Sequence, residues 1–259
     1  MSKESVEVKE PSFQVDRLYT RVTQLDDGRS ISIYQSEVGD VGCVVWDAAI
    51  VLAKFYEHII SYGSRQAKTS DQSVNSADVK AIQAVELLYE KIQSNRAIQA
   101  IELGSGTGYV GIIAAALGAQ VTVTDLPEFV ELMKHNVRKN NALILERNGR
   151  CDVSALVWGT QAKMKTDLIL LSDCIYYEQA LTPLVNSMVD LSKPDTIILC
   201  CHEERTTDNK PALQKQFFKE VAEHFSIVSV PVHLQHPTFS SEDIHINILL
   251  PKLEEVGHP

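Results

Sequence analysis

The sequence predicts a doubly wound α/β fold, with helices on both faces of a mostly parallel sheet of seven strands. From Ala97 to Leu250, short apolar runs alternate with segments of helical periodicity. These runs are apolar at nearly every position, as is typical of strands that are covered on both faces. The last two runs, 225–232 and 243–250, have no helix between them, so we expect them to pair antiparallel at one edge of the sheet.

Each strand is predicted from its own short apolar run. The helical segments that separate them include 177–192 and 210–224. The seven predicted strands are QAIEL, AQVTVTDL, VSALVW, DLILLSD, TIILCCHE, FSIVSVPV and DIHINILL.

The amino-terminal part predicts a hairpin and two helices before this core. Residues 12–35 alternate apolar and polar side chains around Asp27-Gly28, which indicates an antiparallel β-hairpin. Helical periodicity follows within 45–60, where Asp47 favours the helix amino end, and again over 77–95. The polar stretch 61–76 has too few apolar side chains to offset the entropy of ordering it, so it predicts a mobile loop.

The domain organisation follows from these elements. We expect a single domain over 12–259, with a disordered segment at 1–11, the hairpin and first helix at 12–60, the mobile insertion at 61–76 and the α/β core at 97–250.

Composition excludes several classes of protein. The 259 residues include 34 acidic and 24 basic side chains, and the resulting net charge of −10 repels a phosphate backbone, so we expect no nucleic acid partner. Half of the first ten residues are charged, and this stretch has no apolar core of the kind that a signal peptide needs. No apolar run approaches the roughly 18 residues of a membrane span. The five cysteines form no C-x-x-C pair, as is typical of reduced thiols. We therefore expect a cytoplasmic protein without a membrane partner.

A glycine-rich turn at 104–108 is the strongest chemical signal. The sequence IELGSGTG places Glu102, Gly104, Ser105 and Gly106 where an apolar strand ends and a helix begins. Glycines at this point allow the backbone to approach a ligand closely. Asp125 ends the next strand, about 20 residues later, where a carboxylate can accept hydrogen bonds from the two hydroxyls of a ribose. Together these residues predict an adenosine-type cofactor.

Two cofactors fit this turn, and a third interpretation needs none. The segment from Gly106 to Gly111 matches the G-x-G-x-x-G pattern of NAD enzymes. Glu102 favours S-adenosyl-L-methionine instead, because a carboxylate there would repel a pyrophosphate and attract a cationic amino acid and sulfonium. The glycines could also serve only tight packing of strand against helix.

A second constellation follows the strand DLILLSD. Its end brings Asp173 and Tyr176 to the same edge of the sheet as the glycine turn. A carboxylate there can hold an incoming ammonium, and an aromatic ring can guide it by cation–π attraction. Alternatively, Asp173 caps the helix that follows and Tyr176 packs beneath it. His202-Glu203-Glu204-Arg205 also lies at this edge, either shaping the mouth of the acceptor site or forming a solvated loop.

These motifs carry a resemblance to a known family. VGCVVWDAAIVLAKFYE, the glycine turn, VWG, DCIYYEQALTPLV, CCHEERT and SEDIHI together resemble the methyltransferase-like 21 group of protein lysine methyltransferases, in particular those that act on valosin-containing protein. The resemblance covers about 38–58 and 97–250. It implies a Rossmann-like class I methyltransferase fold, S-adenosyl-L-methionine as cofactor and protein-lysine N-methylation. The implied reaction is trimethylation of a lysine on valosin-containing protein, a hexameric AAA ATPase, by a monomeric enzyme.

The resemblance also implies roles for single residues. It assigns Asp173 and Tyr176 to catalysis. The polar stretch 61–95 is longer than the corresponding connection in the family, which bears on the identity of the substrate, and Ser172 replaces the family's usual Ala. The implied cofactor-binding residues are Trp46, Gly104, Ser105, Gly106, Asp125, Trp158 and Ser172, beside Glu102 from the charge argument above.

Other functions stay open on the sequence alone. The same donor site could serve a methyltransferase acting on a small molecule or RNA, although the net charge disfavours RNA. A partner-binding module that keeps the pocket as a relic of the fold is a third hypothesis. The histidines form no H-E-x-x-H or similar cluster, so we expect no metal site.

Overall fold

The computed structural model describes residues 17–36, 41–61, 76–94, 97–161 and 164–252. The predictions for 1–11, and for 62–75 within the polar stretch, lie outside the described residues. The strands are β1 Leu18–Gln24, β2 Ser30–Ser36, β3 Gln99–Leu103, β4 Gln120–Asp125, β5 Arg150–Ala155, β6 Thr166–Ser172, β7 Ser192–Glu203, β8 Phe225–Val230 and β9 Ile244–Pro251. The helices are α1 Asp47–Ile60, α2 Ser76–Ser94, α3 Tyr109–Ala116, α4 Val130–Leu145, α5 Glu178–Leu191 and α6 Lys210–His224.

The main sheet has seven strands in the order β5-β4-β3-β6-β7-β9-β8. Strands β3 to β7 pair in parallel, whereas β9 pairs antiparallel with both β7 and β8. The predicted fold class, its antiparallel pair at one edge and the separate hairpin β1–β2 are confirmed. Because β9 inserts between β7 and β8, the reversed strand lies second from the edge. The strand order changes direction between β3 and β6, which is where open α/β sheets bind ligands.

Both faces of the central strands β3, β6 and β7 are buried, as their apolar runs predicted, whereas the edge strands β5 and β8 are more exposed. Along β6, Leu168 and Leu170 pack into a core with α1 to α4 and the hairpin. Ile169 and Leu171 point the other way, into a second core with α5 and α6. Alternate side chains of one strand therefore serve different cores. In the described part of the chain, no helix is long and apolar enough to cross a bilayer.

Strand β5 differs from its prediction. It begins at Arg150 and ends at Ala155, so Val157 and Trp158 of the predicted strand VSALVW lie beyond it. Just beyond the strand, the Leu156 N–H still donates a hydrogen bond to the Asp125 carbonyl of β4, at 2.8 Å. The apolar side chains after this point line a cavity and do not belong to a strand. Because a buried strand is equally apolar, the sequence pattern predicted a strand that is too long.

Two buried asparagines fasten the hairpin to the core. Asn136 of α4 accepts a hydrogen bond from the Tyr34 N–H at 2.8 Å and donates to the Tyr34 carbonyl at 3.0 Å. Asn140, one turn later, makes the same pair of bonds with Ser32 at 3.0 and 2.9 Å. The side-chain amides thus provide the hydrogen bonds that a neighbouring strand would otherwise form with the backbone of β2. Asn136 also donates to the Thr107 carbonyl at 2.9 Å, which connects the hairpin to the glycine turn.

We expect Asn136→Asp to destabilise the protein. The substitution keeps the shape of the side chain but replaces a donor of two hydrogen bonds with an oxygen that faces two carbonyls in a buried site. The free energy of unfolding should fall by about 2–4 kcal/mol. Urea unfolding at pH 7 measures it, with Asn141→Asp on the exposed side of α4 as the control. Equal effects of the two variants would contradict the prediction.

Candidate active site

A cavity of about 460 Å³ opens at the carboxyl ends of β3, β4 and β6, beside the point where the strand order reverses. A volume of this size is in the range of sites for small molecules and cofactors. Of the sequence-predicted site residues, all except Glu102 line it: Trp46, Gly104, Ser105, Gly106, Asp125, Trp158, Ser172, Asp173 and Tyr176. Residues from both sides of the reversal of strand order therefore share one cavity.

The glycine turn requires glycine at two positions that face the cavity. Gly104 has φ +63° and Gly106 has φ +53°, a backbone region that side chains disfavour. A Cβ on Gly104 would lie 2.8 Å from the Trp158 ring, and one on Gly106 would lie 2.5 Å from the Gly42 carbonyl oxygen. The turn thus packs against aromatic and backbone walls too closely for any side chain.

Hydrogen bonds to the end of β4 fix this turn. The Ser105 N–H donates to the Thr124 carbonyl at 3.0 Å, and the Thr124 N–H donates to Ser105 Oγ at 2.9 Å. The Gly106 N–H donates to Asp125 Oδ2 at 2.6 Å, and the Leu126 N–H donates to Asp125 Oδ1 at 2.7 Å. The carboxylate of Asp125 is therefore oriented by the turn and by its own chain, at the wall of the cavity.

Glu102 lies beneath the turn and not in the cavity. Its side chain is 1% exposed, and Oε2 accepts a hydrogen bond from the Gly111 N–H at 2.9 Å. Burial raises the pKa of Glu102 to about 8, opposed by the hydrogen bonds that its carboxylate accepts. A largely neutral carboxyl at pH 7 does not supply the negative charge that the sequence argument expected next to the cofactor. The geometry instead places Glu102 as a support for the start of α3.

The third glycine of the dinucleotide pattern serves packing. Gly111 lies inside α3, where a Cβ would meet Val123 Cγ1 at 2.4 Å and Glu102 Oε2 at 2.8 Å. The match to G-x-G-x-x-G thus follows from close contact between α3 and the sheet at this position, and it does not discriminate between cofactors.

The amino-terminal segment forms one wall of the cavity. Residues 41–46 include a 3₁₀ turn at Val41–Cys43 and end at Trp46, the residue that precedes α1. Trp46 is 40% exposed, and its Nε1–H donates to the Val41 carbonyl at 2.9 Å. Trp158 lies on the opposite side of the glycine turn, against Gly104. Both tryptophans of the chain therefore line this one site.

Asp173 adopts an unusual conformation at the end of β6. Its φ is +57°, and its N–H donates to the Cys201 carbonyl at 2.9 Å. Oδ1 accepts from the Glu203 N–H at 3.3 Å, and Oδ2 lies 2.5 Å from Arg205 Nη2. Burial raises the pKa of Asp173 above its ordinary value, while the Arg205 cation opposes the shift. Helix α5 is capped at Tyr177 without a side-chain hydrogen bond, so Asp173 is not a helix cap.

Tyr176 lies three residues further, at the rim of the same cavity. Its ring packs against Tyr177 with centroids 4.6 Å apart, and its carbonyl accepts a hydrogen bond from Lys210 Nζ at 2.9 Å. Tyr177 and Lys210 also line the cavity. The site therefore combines an acid and two phenol rings on the side opposite the glycine turn.

For Arg205 the sequence left two interpretations open, a residue of the acceptor site or part of a solvated loop. It lines the cavity and pairs with Asp173, so the charged segment after β7 belongs to the site. Asp243 and His245, from the segment SEDIHI, contact this charged segment. The Glu204 N–H donates to the Asp243 carbonyl at 2.7 Å, and His245 Nε2 lies 3.1 Å from Glu204 Oε2. Across the described ranges, no three His, Cys, Asp or Glu side chains converge to form a metal site.

The chain is similar in sequence to known lysine methyltransferases. The profile of a family described as lysine methyltransferase matches residues 25–224. The chain is 32% identical over 211 residues to protein N-lysine methyltransferase METTL21A of Danio rerio, covering 80% of this chain and 76% of that protein. It is 29% identical over 236 residues to EEF1A lysine methyltransferase 3 of Mus musculus, covering 89% and 81%.

Solved structures match at the level of the fold. The glycopeptide N-methyltransferase MtfA, in its complex with S-adenosyl-L-homocysteine, aligns with a TM-score of 0.50 and 12% identity. The alignment covers 73% of this chain and 97% of that one.

The sheet order and the glycine turn with its acidic neighbour define a class I methyltransferase. Within that class, the chain belongs to the lysine methyltransferase family, because the family profile covers most of its length. It is therefore an S-adenosyl-L-methionine-dependent protein lysine methyltransferase.

Glu102 makes the stability of the protein depend on pH. The unfolded chain ionises this carboxyl near 4.5, whereas the folded protein keeps it protonated up to about 8. Folding therefore takes up a proton in this window, and the Glu102 contribution to stability is full below pH 4.5 and is lost as the pH rises toward 8. Glu102→Gln keeps an acceptor for the Gly111 N–H and cannot ionise.

We expect the stability difference between Glu102→Gln and the native protein to change by about 3 kcal/mol between pH 5.5 and pH 8.5, in favour of the variant at high pH. Urea unfolding of both proteins at the two pH values measures this difference, in which the other titrating groups cancel. A difference that does not vary with pH would show that Glu102 is ionised in the folded protein.

Proposed function

We propose that this enzyme methylates a lysine of valosin-containing protein, with Asp173 and Tyr176 receiving the amine. The supporting observation is that both residues line the same cavity as the glycine turn and Asp125. The residues proposed for the donor and for the acceptor thus line one cavity, which supports group transfer between them.

The residues around the glycine turn fit the donor. Gly104 and Gly106 line the cavity and carry no side chain, and a Cβ on either would collide with the walls, so the ligand would meet the backbone of the turn itself. We propose that Ser105 and this backbone hold the methionine part, that Asp125 accepts hydrogen bonds from the ribose hydroxyls, and that the remaining contacts come from Trp46, Trp158 and Ser172. When bound, S-adenosyl-L-methionine supplies an electrophilic methyl carbon on a sulfonium.

The acceptor side must hold an amine and help it lose a proton. A lysine at pH 7 is protonated, and removing the proton costs about 4–5 kcal/mol from its free pKa of ~10.4. Asp173 can attract the ammonium by its charge, and the faces of Tyr176 and Tyr177 can guide the alkyl chain and the cation. Because burial raises the pKa of Asp173, this carboxylate is a better proton acceptor than an exposed aspartate.

Two protein substrates have support. Valosin-containing protein is favoured by the motifs that resemble its methyltransferases, in particular VVWDAA and D-x-x-Y, which runs from Asp173 to Tyr176. Eukaryotic elongation factor 1A is the alternative, because a relative named for it is 29% identical over 89% of this chain. We propose the first as substrate, and we also propose, from the sequence, a monomeric enzyme in the cytoplasm.

The substrate is tested by incubating the enzyme and labelled donor with each purified protein. We expect label on valosin-containing protein, and tryptic mass spectrometry to find three methyl groups on a single lysine. Label on elongation factor 1A alone would transfer the substrate assignment to that protein. Label on no protein in a lysate, with donor binding intact, would contradict protein methylation by this site.

We expect Asp173→Asn to abolish methyl transfer while donor binding persists. Asparagine tolerates the left-handed backbone of Asp173 and keeps its shape, but it cannot balance an ammonium or accept its proton. The value of kcat should fall by about 100-fold or more, whereas the donor dissociation constant from calorimetry should change little.

Asp208→Asn is the matched control for this experiment. Asp208 is exposed and also has a left-handed φ, of 53°, so the same substitution tests the backbone effect alone. Retention of native turnover by Asp173→Asn would remove Asp173 from the proposed mechanism.

A further inference from the structure

We infer that Arg205 occupies the place of the substrate's ammonium group and must leave it before a lysine reaches Asp173. This inference rests on the proposed function, because it takes Asp173 as the residue that receives the amine. It assigns to Arg205 the control of access to the acceptor site.

The surroundings of Arg205 are those of a binding site for an alkylammonium. Its Nη2 lies 2.5 Å from Asp173 Oδ2 and 3.0 Å from Glu203 Oε2. Its Cζ lies 5.3 Å from the centre of the Trp46 ring. We call these two carboxylates and this indole the cation site. Carboxylates combined with an aromatic face recognise a protonated amine as well as a guanidinium.

Arg205 covers the carboxylate that a lysine must contact. The side chain of Asp173 is only 10% exposed, and that of Arg205 is 26% exposed. One oxygen of Asp173 accepts from the Glu203 backbone, and the other contacts the Arg205 guanidinium. If the guanidinium stayed, an ammonium approaching Asp173 would meet a like charge at the same carboxylate.

Exchange of the two cations keeps the charges balanced. Departure of Arg205 without a replacement would leave Asp173 buried and unpaired, which is costly. Entry of a protonated lysine replaces one positive charge with another, so the site favours the cationic form of the incoming side chain. Arg205 lies two residues beyond the end of β7 at Glu203 and is partly exposed, so it can move into solvent while β7 stays in place.

Binding of n-butylammonium, which imitates the end of a lysine side chain, tests this directly. The full chain, saturated with S-adenosyl-L-homocysteine, is titrated at pH 8 and followed by the indole N–H signals of its two tryptophans, assigned with Trp158→Phe. We expect Arg205→Ala to bind the probe about 3- to 10-fold more tightly than the native protein, because an internal competitor of modest strength is removed. Arg205→Lys, which keeps a cation, should show a smaller gain.

Controls separate displacement from a general change of the surface. Arg150→Ala removes an arginine that pairs with Asp152 at the opposite end of the sheet, and it should bind the probe as the native protein does. Adding Asp173→Asn to Arg205→Ala should abolish the gain. Glu203→Gln in the Arg205→Ala background removes a carboxylate of the cation site itself, so it should weaken binding of the probe relative to Arg205→Ala alone. Unchanged or weaker binding by folded Arg205→Ala would overturn the inference.

Kinetics give a second readout. With the unmodified form of the protein that the enzyme methylates as substrate, Arg205→Ala should lower the KM for that protein more than it changes kcat. A lower kcat with an unchanged KM would assign Arg205 to positioning Asp173 and would overturn the inference. If the native enzyme methylates neither candidate protein, the proposed substrates fail, while the titration still decides whether Arg205 competes for the cation site.

Discussion

The hydrogen bonds between the glycine turn and the end of β4 are the interaction on which the site depends. Ser105 and Thr124 exchange two of these bonds, and Asp125 accepts a third from Gly106. They place the turn so that its glycines face Trp158 and Gly42 without room for side chains. They also set the start of α3 over Glu102, whose burial follows from this placement. Loss of this contact would therefore disturb both the floor and the walls of the cavity.

The two halves of the site are held by different forces. The proposed donor half is held by hydrogen bonds in which every donor is a backbone N–H, and these groups cannot leave without unfolding the end of a strand. The acceptor half is held by side-chain ion pairs, in which Arg205 contacts Asp173 and Glu203. Partly exposed ion pairs are individually weak and exchange partners easily. A rigid donor half next to an exchangeable acceptor half suits an enzyme that admits a side chain from another protein.

The sequence predicted the features that depend on local pattern. The glycine turn, Asp125 and the D-x-x-Y residues lie at strand ends, and strand ends follow from short apolar runs. The sequence could not show that Asn136 and Asn140 replace a strand for β2, because this contact joins distant segments. It misplaced the end of β5, since apolar cavity walls and apolar strands have the same composition. The sequence also could not show that Glu102 is buried, because a carboxylate near a strand end can point either into the cavity or into the core.

The position of Trp46 in the cavity has a consequence for folding. The indole belongs to a segment that is synthesised before the main sheet, yet it faces Arg205, which comes 159 residues later in the chain. Contacts between such distant segments require closure of a long loop, and they form after the intervening strands have paired. We therefore expect the pocket to mature late, when the scaffold is already compact, so that a nascent chain released early would have most of the sheet and no competent catalytic centre.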